Sequence, residues 1–419
     1  MKVTTIGLDL AKNVFQVHAS DAHGAAVLRK QLRRAQLSEF FAQQPPCIVA
    51  MEACAGAHYW GRKLRALGHE VRLMAPQYVK PYVKSQKNDA ADAAAICEAA
   101  TRGHMRFVAL KTVDQQSVLA LHTVRSGFVK QRTALSNQIR GMLAEFGVVL
   151  PQGLSKLAQQ LPVVLADQGN ELTGVVRELV QMLQTQLAHL DELVARLERQ
   201  IRVWASQDQA AKRLQQIPGI GPITASALAA SVGDARQFED ARQMAAWMGL
   251  VPRQHSSGGK SVLLGITKRG DKYLRTLLIH GARAALKAYQ RNPAKMPQQL
   301  AQLLQRKHPN VVCVALASRN ARVAWAMLSR REDYKGGPSV NLPALPSSAA
   351  LKAYQRNPAK MPQQLAHLLQ RKHPNVVCVA LASRNARVAW AMLSRREDYK
   401  GGPSVNLPAL PSSPGLAPI

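Results

Sequence analysis

The chain has 419 residues, 47% of them hydrophobic, and a formal charge of +31 from 56 Lys and Arg against 25 Asp and Glu. That length and apolar content suit at least one sizeable core and two or three domains, which excludes a disordered tail, and the charge makes a polyanion, by default nucleic acid, the expected partner. Five cysteines without CxxC or Cys/His clustering exclude a disulfide framework and a structural zinc site; with no signal-peptide core and no uninterrupted apolar run of bilayer length, a soluble, cytoplasmic protein with no membrane partner is expected.

Strand and helix signals alternate through the first hundred residues. Residues 4–10, 14–18 and 26–28 read as a three-stranded meander, followed by a helix at 37–43, a strand at 47–51, a helix at 59–67, a strand at 70–74 and a further helix. Three antiparallel strands and then strand–helix alternation is the order of an RNase-H-like α/β fold, an opening that several mixed α/β folds share.

Residues 113–146 predict one long helix. Beyond it, Val176, Leu179, Leu183, Leu187, Leu190, Val194, Leu197, Ile201 and Trp204 recur in steps of three and four, a coiled-coil seam. Such a seam serves equally a helical hairpin within one chain and a dimerisation arm; Pro151 and residues 153–155 allow the reversal. Near Leu214 a third region begins with Ile217-Pro218-Gly219-Ile220-Gly221, which resembles the hairpin of a helix-hairpin-helix motif. There Gly219 and Gly221 let the backbone turn and set the next helix's free N–H groups against a phosphate, although a plain turn between packed helices has the same pattern. Residues 284–348 recur as 349–413 with Gln302 against His367 the one difference, a tandem duplication that reads as one working segment and one spare, each with a Pro/Ser/Gly-rich tail. The expected divisions are 1–110, 111–210, 211–335, and 336–419 for the linker with the duplicated copy.

Asp9 closes one apolar strand, Glu52 closes another, and Asp89 and Asp92 lie three apart on one helix face. On adjacent central strands and a helix crossing the sheet, these four would converge, and crowded carboxylates suit a hard divalent cation, Mg²⁺ or Mn²⁺. Two such ions can activate an attacking oxygen and stabilise a leaving one. An Asp ending a strand is equally a turn former, and an Asp pair at helical spacing equally a solvated face. Lys80, Lys84 and Lys87, just before Asp89, have the same two readings, phosphate contact or solvated face. A second constellation, the loop 252–261, sets Ser256 and Ser257 among Arg253, His255 and Lys260, with Lys268 and Arg269 close behind. A serine hydroxyl becomes nucleophilic where a base or positive charge favours its alkoxide; a Ser/Gly-rich loop is otherwise only a connection.

Ile6 to Lys12, Met51-Glu52-Ala53, Lys87 to Ala93, Ile217 to Gly221 and Ala246 to Arg253, in this order and spacing, resemble the DEDD transposases of the insertion-sequence family one-ten, including its eleven-eleven branch. The resemblance extends to about Leu328, through Arg283 and the apolar helix around Trp325. It implies an α/β RNase-H-like (RuvC-like) N-terminal domain, an α-helical coiled-coil linker, and a mainly α C-terminal transposase domain with the helix-hairpin-helix-like motif. Carried over by position, it makes Asp9, Glu52, Asp89 and Asp92 the catalytic, metal-binding set and Ser257 the catalytic serine, with Ser256 adjacent. It further implies Mg²⁺, a covalent serine–DNA intermediate, a homo-oligomer (dimer or tetramer) with composite sites, and an element-encoded guide RNA pairing with target and donor DNA on the nucleoid. Gly219, Gly221, Arg253, Lys260, Lys268 and Arg269 are the expected nucleic-acid contacts. The duplicated tail departs from the family pattern. Three rivals use parts of the same residues: a Holliday-junction resolvase, in which the carboxylates activate water; a non-catalytic nucleic-acid-binding regulator; and an actin-like kinase or ATPase, suggested by Gly7-Leu8-Asp9 but lacking a second Gly-rich phosphate loop.

Overall fold

The computed structural model describes residues 2–83, 89–257 and 260–334. Strands β1 (Thr5–Leu10), β2 (Val14–Ser20) and β3 (Ala26–Arg33) form the expected antiparallel meander. After α1 (Leu37–Ala42), β4 (Ile48–Glu52) joins β1 in parallel, and after α2 (Ala57–Ala66), β5 (Glu70–Met74) joins β4 in parallel. A short α3 (Pro76–Val79) and then α4 (Asp89–Ala100) lead to a two-residue edge strand, β6 (Phe107–Val108), antiparallel to β5. The sheet order β3-β2-β1-β4-β5-β6 puts β1 and β4 side by side at its centre, an RNase-H-like arrangement.

The two faces of this sheet follow from side-chain alternation along each strand. Ile6 and Leu8 of β1 and Val49 and Met51 of β4 join one core with Phe15, Leu37, Phe41, Trp60 and Leu64. Ala50 joins another, with Met74 and with Ala95, Ile96 and Ala99 of α4. Gly7 shares that second face, so β1 and β4 present small residues to the alanine-rich helix.

Helix α5 (Val113–Ala144) opens with a capping box in which Gln115 N donates to Thr112 Oγ1 (3.1 Å) and Thr112 N donates to Gln115 Oε1 (3.0 Å). Through α6 (Leu154–Ala166) the chain reverses into α7 (Gly174–Gln207), which packs back on α5 within the same chain. Ion pairs Arg125–Glu198 (2.6 Å) and Arg132–Asp191 (2.6 Å) join the two helices. Of the seam residues, Leu187, Leu190, Val194 and Ile201 are buried, whereas Leu179 is 43% exposed and Val180 takes the inward position.

The C-terminal region is mostly helical: α8 (Gln209–Leu214), α9 (Pro222–Val232), α10 (Ala241–Trp247), α11 (Lys272–Arg291), α12 (Gln298–Arg306) and α13 (Pro309–Arg330). Their core includes Leu228, Met244, Leu274, Leu278, Leu286, Val312, Leu316 and Met327, so the first copy of the duplicated segment supplies structural helices. The second copy, together with Lys84 and Lys87, lies outside the described residues. The described part of the stretch read from sequence as a loop instead belongs to a two-stranded sheet, β7 (Pro252–Ser257) with β8 (Lys260–Ile266). The sequence also offered no run of bilayer length; α13 does reach that length and hydropathy, yet it is 56% buried in the core and carries Arg319 and Arg322.

Candidate active site

The alternation that sends Gly7 and Ala50 towards α4 sends Asp9 and Glu52, two residues further along each strand, towards the same side. Gly7 permits the approach: a Cβ there would lie 2.6 Å from Cys97 N and 2.8 Å from Cys97 Cβ, and closer still to Ala93 O. With α4 seated this low, its first turn delivers Asp89 and Asp92 to the strand ends. One carboxylate oxygen each from Asp9, Asp89 and Asp92 lie within 4.8 Å of one another. Glu52, at the end of β4, lies near them: burial, then the neighbouring charges of Asp9 and Asp92, push its carboxyl above the ordinary value. Cys54, just past β4, is pushed up by burial and by Asp9 and Glu52, so its thiol lines the same place.

All-oxygen donors at this spacing fit a hard divalent cation. Opposed ligands on Mg²⁺ stand roughly 4.2 Å apart, so small side-chain rotations would close Asp9, Asp89 and Asp92 on an ion. The raised Glu52 carboxyl reflects burial first and the neighbouring carboxylates of Asp9 and Asp92 second.

The second constellation is built on a firm base. Gly249 and Gly270 have positive φ (71° and 79°), and each is pressed on backbone: an added Cβ would meet Arg269 N at 2.8 Å and Arg275 Nη1 at 2.7 Å in the first case and Trp247 O in the second. Thr267 N donates to Val251 O (2.9 Å) and Lys268 N donates to Gly249 O (3.2 Å), tying the two ends of the hairpin together. Buried Arg275 closes the clamp, its Nη1 donating to Met248 O (2.9 Å) and Arg269 O (3.1 Å). Lys268 is held at φ 56°, a left-handed conformation that a lysine adopts only when its surroundings enforce it. Above this base, Arg253, Gln254, His255, Ser256 and Ser257 are all exposed, as are Lys268 and Arg269. Gln254 Nε2 donates to Ser256 Oγ (2.9 Å), which places these two on one face of β7 and leaves Arg253, His255 and Ser257 on the other. Lys260 belongs to β8.

Residues 6–147 match a DEDD family model described as Transposase, and residues 211–297 match the model of the Transposase IS116/IS110/IS902 family. Over 338 residues the chain is 54% identical to the "Probable family 20 transposase" of Pseudomonas aeruginosa, an alignment covering 80% of this chain and 100% of that one. The chain belongs to the IS110 family of transposases. It is 45% identical over 335 residues to the transposase for insertion sequence element IS1111A of Coxiella burnetii (80% of this chain, 92% of that one), in keeping with the eleven-eleven branch. With the transposase for insertion sequence element IS1328 of Yersinia enterocolitica it shares 44% over 328 residues (78% and 97%). It is therefore an enzyme of DNA cleavage and strand transfer, and the two matched segments of this IS110 transposase are the ones that carry the acids and the serine hairpin.

The remaining sequence candidates divide. Gly219 (φ 92°) sits against Gly281 of α11, where an added Cβ would lie 2.7 Å from Gly281 O, and Asn320 Nδ2 of α13 donates to Pro218 O (2.9 Å). Gly221 is exposed and precedes the first turn of α9, with nothing within 4 Å of an added Cβ. Gly7 figured in the sequence only as part of a phosphate-loop resemblance; its role beside α4 could have been found from a glycine in a buried strand paired with a run of alanines around Asp92. Cys54 and Arg275 carry no such signal in the sequence.

Proposed function

We propose that this transposase cuts and rejoins DNA through a covalent bond to Ser257, working with a divalent-metal site on Asp9, Glu52, Asp89 and Asp92. The observation that supports this reading is the grouping of Asp9, Asp89 and Asp92 within 4.8 Å, with Glu52 of β4 close enough to feel the charges of Asp9 and Asp92. Magnesium or manganese bound there would supply charge neutralisation at phosphate and activation of a phosphate-bound or attacking oxygen. Ser257 is preferred to Ser256 because it shares a strand face with Arg253 and His255, whereas Ser256 is engaged by Gln254. In the cleavage step, the Ser257 hydroxyl passes its proton to His255 as Oγ bonds to the scissile phosphorus; the P–O bond to one sugar breaks, and that oxygen leaves as a hydroxyl, taking a proton. Arg253 offsets charge on the phosphate. Attack by a hydroxyl of the recipient strand on the phosphoserine ester reverses the step and rejoins DNA without net hydrolysis.

The further parts of the reading are an RuvC-like domain at 1–110, a coiled-coil linker at 111–210 and a serine domain at 211–335, assembled as a dimer or tetramer so that acids and serine form composite sites. Exposed Val175, Leu179 and Met182 along α7 support an oligomer interface. Gly221, at the start of a helix-hairpin-helix-like α9, would offer free N–H groups to a phosphate, with Gly219 shaping the turn; Arg253, Lys260, Lys268 and Arg269 contact DNA. An element-encoded guide RNA, on the bacterial nucleoid in the cytoplasm, accords with the +31 charge. Only one copy of the duplicated segment is needed by this scheme, so a chain stopped after Ser348 is expected to stay active.

Co-expression with the flanking non-coding DNA, addition of donor and target DNA with Mg²⁺, and a denaturing gel test the mechanism. A protein–DNA adduct lost in Ser257→Ala and in Asp9→Asn is expected. Cleavage without an adduct, indifferent to Ser257→Ala, would instead establish a resolvase-like enzyme that activates water.

A further inference from the structure

The strand register carries the face that holds Asp9 outward to the edge of the sheet. Asp9 of β1 stands opposite Gln16 of β2, and Gln16 stands opposite Gln31 of β3; in the next row on that face Gly7 pairs with His18, and His18 with Arg29. Paired residues point to the same side, as do residues two apart on one strand, so Gln16, His18, Arg29, Gln31 and Arg33 share the face of Asp9. The opposite parity belongs to the core on the other side, where Phe15, Val17, Ala19 and Leu32 are buried. Neighbouring strands lie about 4.8 Å apart, which sets the backbone of Gln31 about 10 Å from that of Asp9. Arg29 and Arg33, four positions apart on β3, stand about 13 Å from each other along the strand.

Arg29, Gln31 and Arg33 are exposed, and Gln16 and His18 are half-buried. Neither β2 nor β3 contains an Asp or Glu. Asp21, in the turn that joins them, accepts from His23 N (2.9 Å) and Ala25 N (2.9 Å). Burial, followed by the Arg29 charge, holds His18 below its ordinary value, so at neutral pH the strip offers an uncharged imidazole beside the carboxamides of Gln16 and Gln31 and the guanidinium groups of Arg29 and Arg33. Carboxamides donate to phosphate oxygens, and guanidinium groups pair with them in planar forks. A cluster of carboxylates repels a polyanion, so cationic side chains along its approach are what steer and hold the strand.

We propose that this strip is the track along which DNA enters the carboxylate site, Arg29 and Arg33 taking phosphates beyond the one to be cut while Gln16 and Gln31 hold the strand in register. The proposal rests on the reading of Asp9, Glu52, Asp89 and Asp92 as the metal site for DNA cleavage. The strip residues are positioning residues: they hold the backbone and move no proton.

Binding of a fluorescein-labelled element-end duplex to the full chain would be measured without Mg²⁺ across a salt series. The strip variant is Arg29→Gln with Arg33→Gln; the comparison is Lys63→Gln with Arg65→Gln, exposed residues of α2 that give the same change in net charge from the other face of the sheet. The strip variant is expected to bind at least about tenfold more weakly than the α2 variant at 0.15 M salt, with a log–log salt slope flatter by about 1.8 for two lost phosphates. Arg29→Lys with Arg33→Lys, which keeps the charge, should recover the slope. In cleavage with Mg²⁺ the strip variant should need at least about tenfold more DNA for half its maximal rate and still approach the parent's maximum. Equal weakening in the strip and α2 variants is what an edge strand charged only against aggregation predicts, and it would overturn the proposal. Weakened binding of an RNA of the same sequence without weakened binding of DNA would overturn it too, as would no DNA binding by the unaltered chain. Asp9→Asn, measured alongside, is expected to abolish cleavage and leave the binding comparison intact; cleavage at the parent's rate by Asp9→Asn would overturn the metal reading alone, because the metal-free binding comparison judges the strip by itself.

Discussion

Replacing Gly7 with alanine places a methyl group where α4 already lies. The new Cβ would start 2.6 Å from Cys97 N and 2.8 Å from Cys97 Cβ, both backbone or backbone-proximal atoms that cannot swing aside. Ordinary contact begins near 3.4 Å, so α4 must lift from β1 by about 1 Å. Overpacking of this kind costs about 1–3 kcal/mol, and a displacement of 1 Å at reacting groups can lower a rate about a hundredfold. The helix carries Asp89 and Asp92 while β1 carries Asp9, so the shift widens the carboxylate cluster directly. Strand cleavage measured against Mg²⁺ concentration, with a parallel melting curve, should show a folded protein of reduced stability that needs more metal and turns over far more slowly. A Gly7→Ala protein with unaltered metal dependence and rate would refute the claim that the close helix–strand contact sets the site.

Glu52→Gln should remove the like-charge strain at the cluster: because the Glu52 carboxyl is pushed up by burial, Asp9 and Asp92, its ionised form is disfavoured in the fold increasingly as pH rises through the carboxylate range. The variant should therefore melt higher than the parent without metal at neutral pH, yet gain less from added Mg²⁺ and lose cleavage; a lower metal-free melting temperature would count against it. His122 is bound on both ring nitrogens, to Tyr273 Oη (3.0 Å) and Ser226 Oγ (3.0 Å), and burial followed by Arg125 holds its pKa down at about 4. His58 is held at about 4 by burial, Lys111 and Arg62. The neutral forms stabilise fully above pH 6.5, and that contribution is lost as pH falls from 6.5 towards 4, by up to about 3 kcal/mol for the more buried His122. Chemical denaturation at several pH values should show this fall, and His122→Gln should remove a large part of its slope; an unchanged slope would mean the histidine does not titrate with folding. Arg275→Ala leaves a buried carbonyl, Met248 O, and a partly buried one, Arg269 O, without their shared donor, which should cost about 1–3 kcal/mol and depress adduct formation. Normal adduct formation in a folded Arg275→Ala protein would show that the clamp does not orient the serine hairpin.

The central sheet was legible because its strands are apolar and short, with helical patterns between them. The parity that aims Asp9 and Glu52 to one side is readable from Gly7 and Ala50, two residues earlier on each strand. The seam of α7 was also readable, but its rotation was not: Leu179 and Val180 are both apolar, and only packing against α5 decides that Val180 turns inward. Strand β7 escaped notice because Arg253 to Ser257 are all polar and exposed, leaving no hydrophobic alternation to mark a strand. Arg275 resembles any surface arginine in sequence, since its partners are main-chain carbonyls, one six residues and the other 27 residues before it. Gly219 suggested a turn facing phosphate, while its tightest neighbour, Gly281, lies 62 positions further along the chain, beyond the reach of local pattern.

The serine hairpin is fastened at its foot by main-chain hydrogen bonds, close glycines and one buried arginine, while Arg253 to Ser257 face outward. Exposed positions away from such fastenings usually tolerate exchange within about 0.5 kcal/mol. Evolution can therefore rewrite Gln254 and Ser256, on the strand face turned away from Ser257, and with them the DNA that is accepted, while the scaffold pays almost nothing in foldedness. Gly249, Gly270 and Arg275 have no such latitude, and a library built to shift target choice should vary positions 254 and 256 and leave those three, with Arg253, His255 and Ser257, alone.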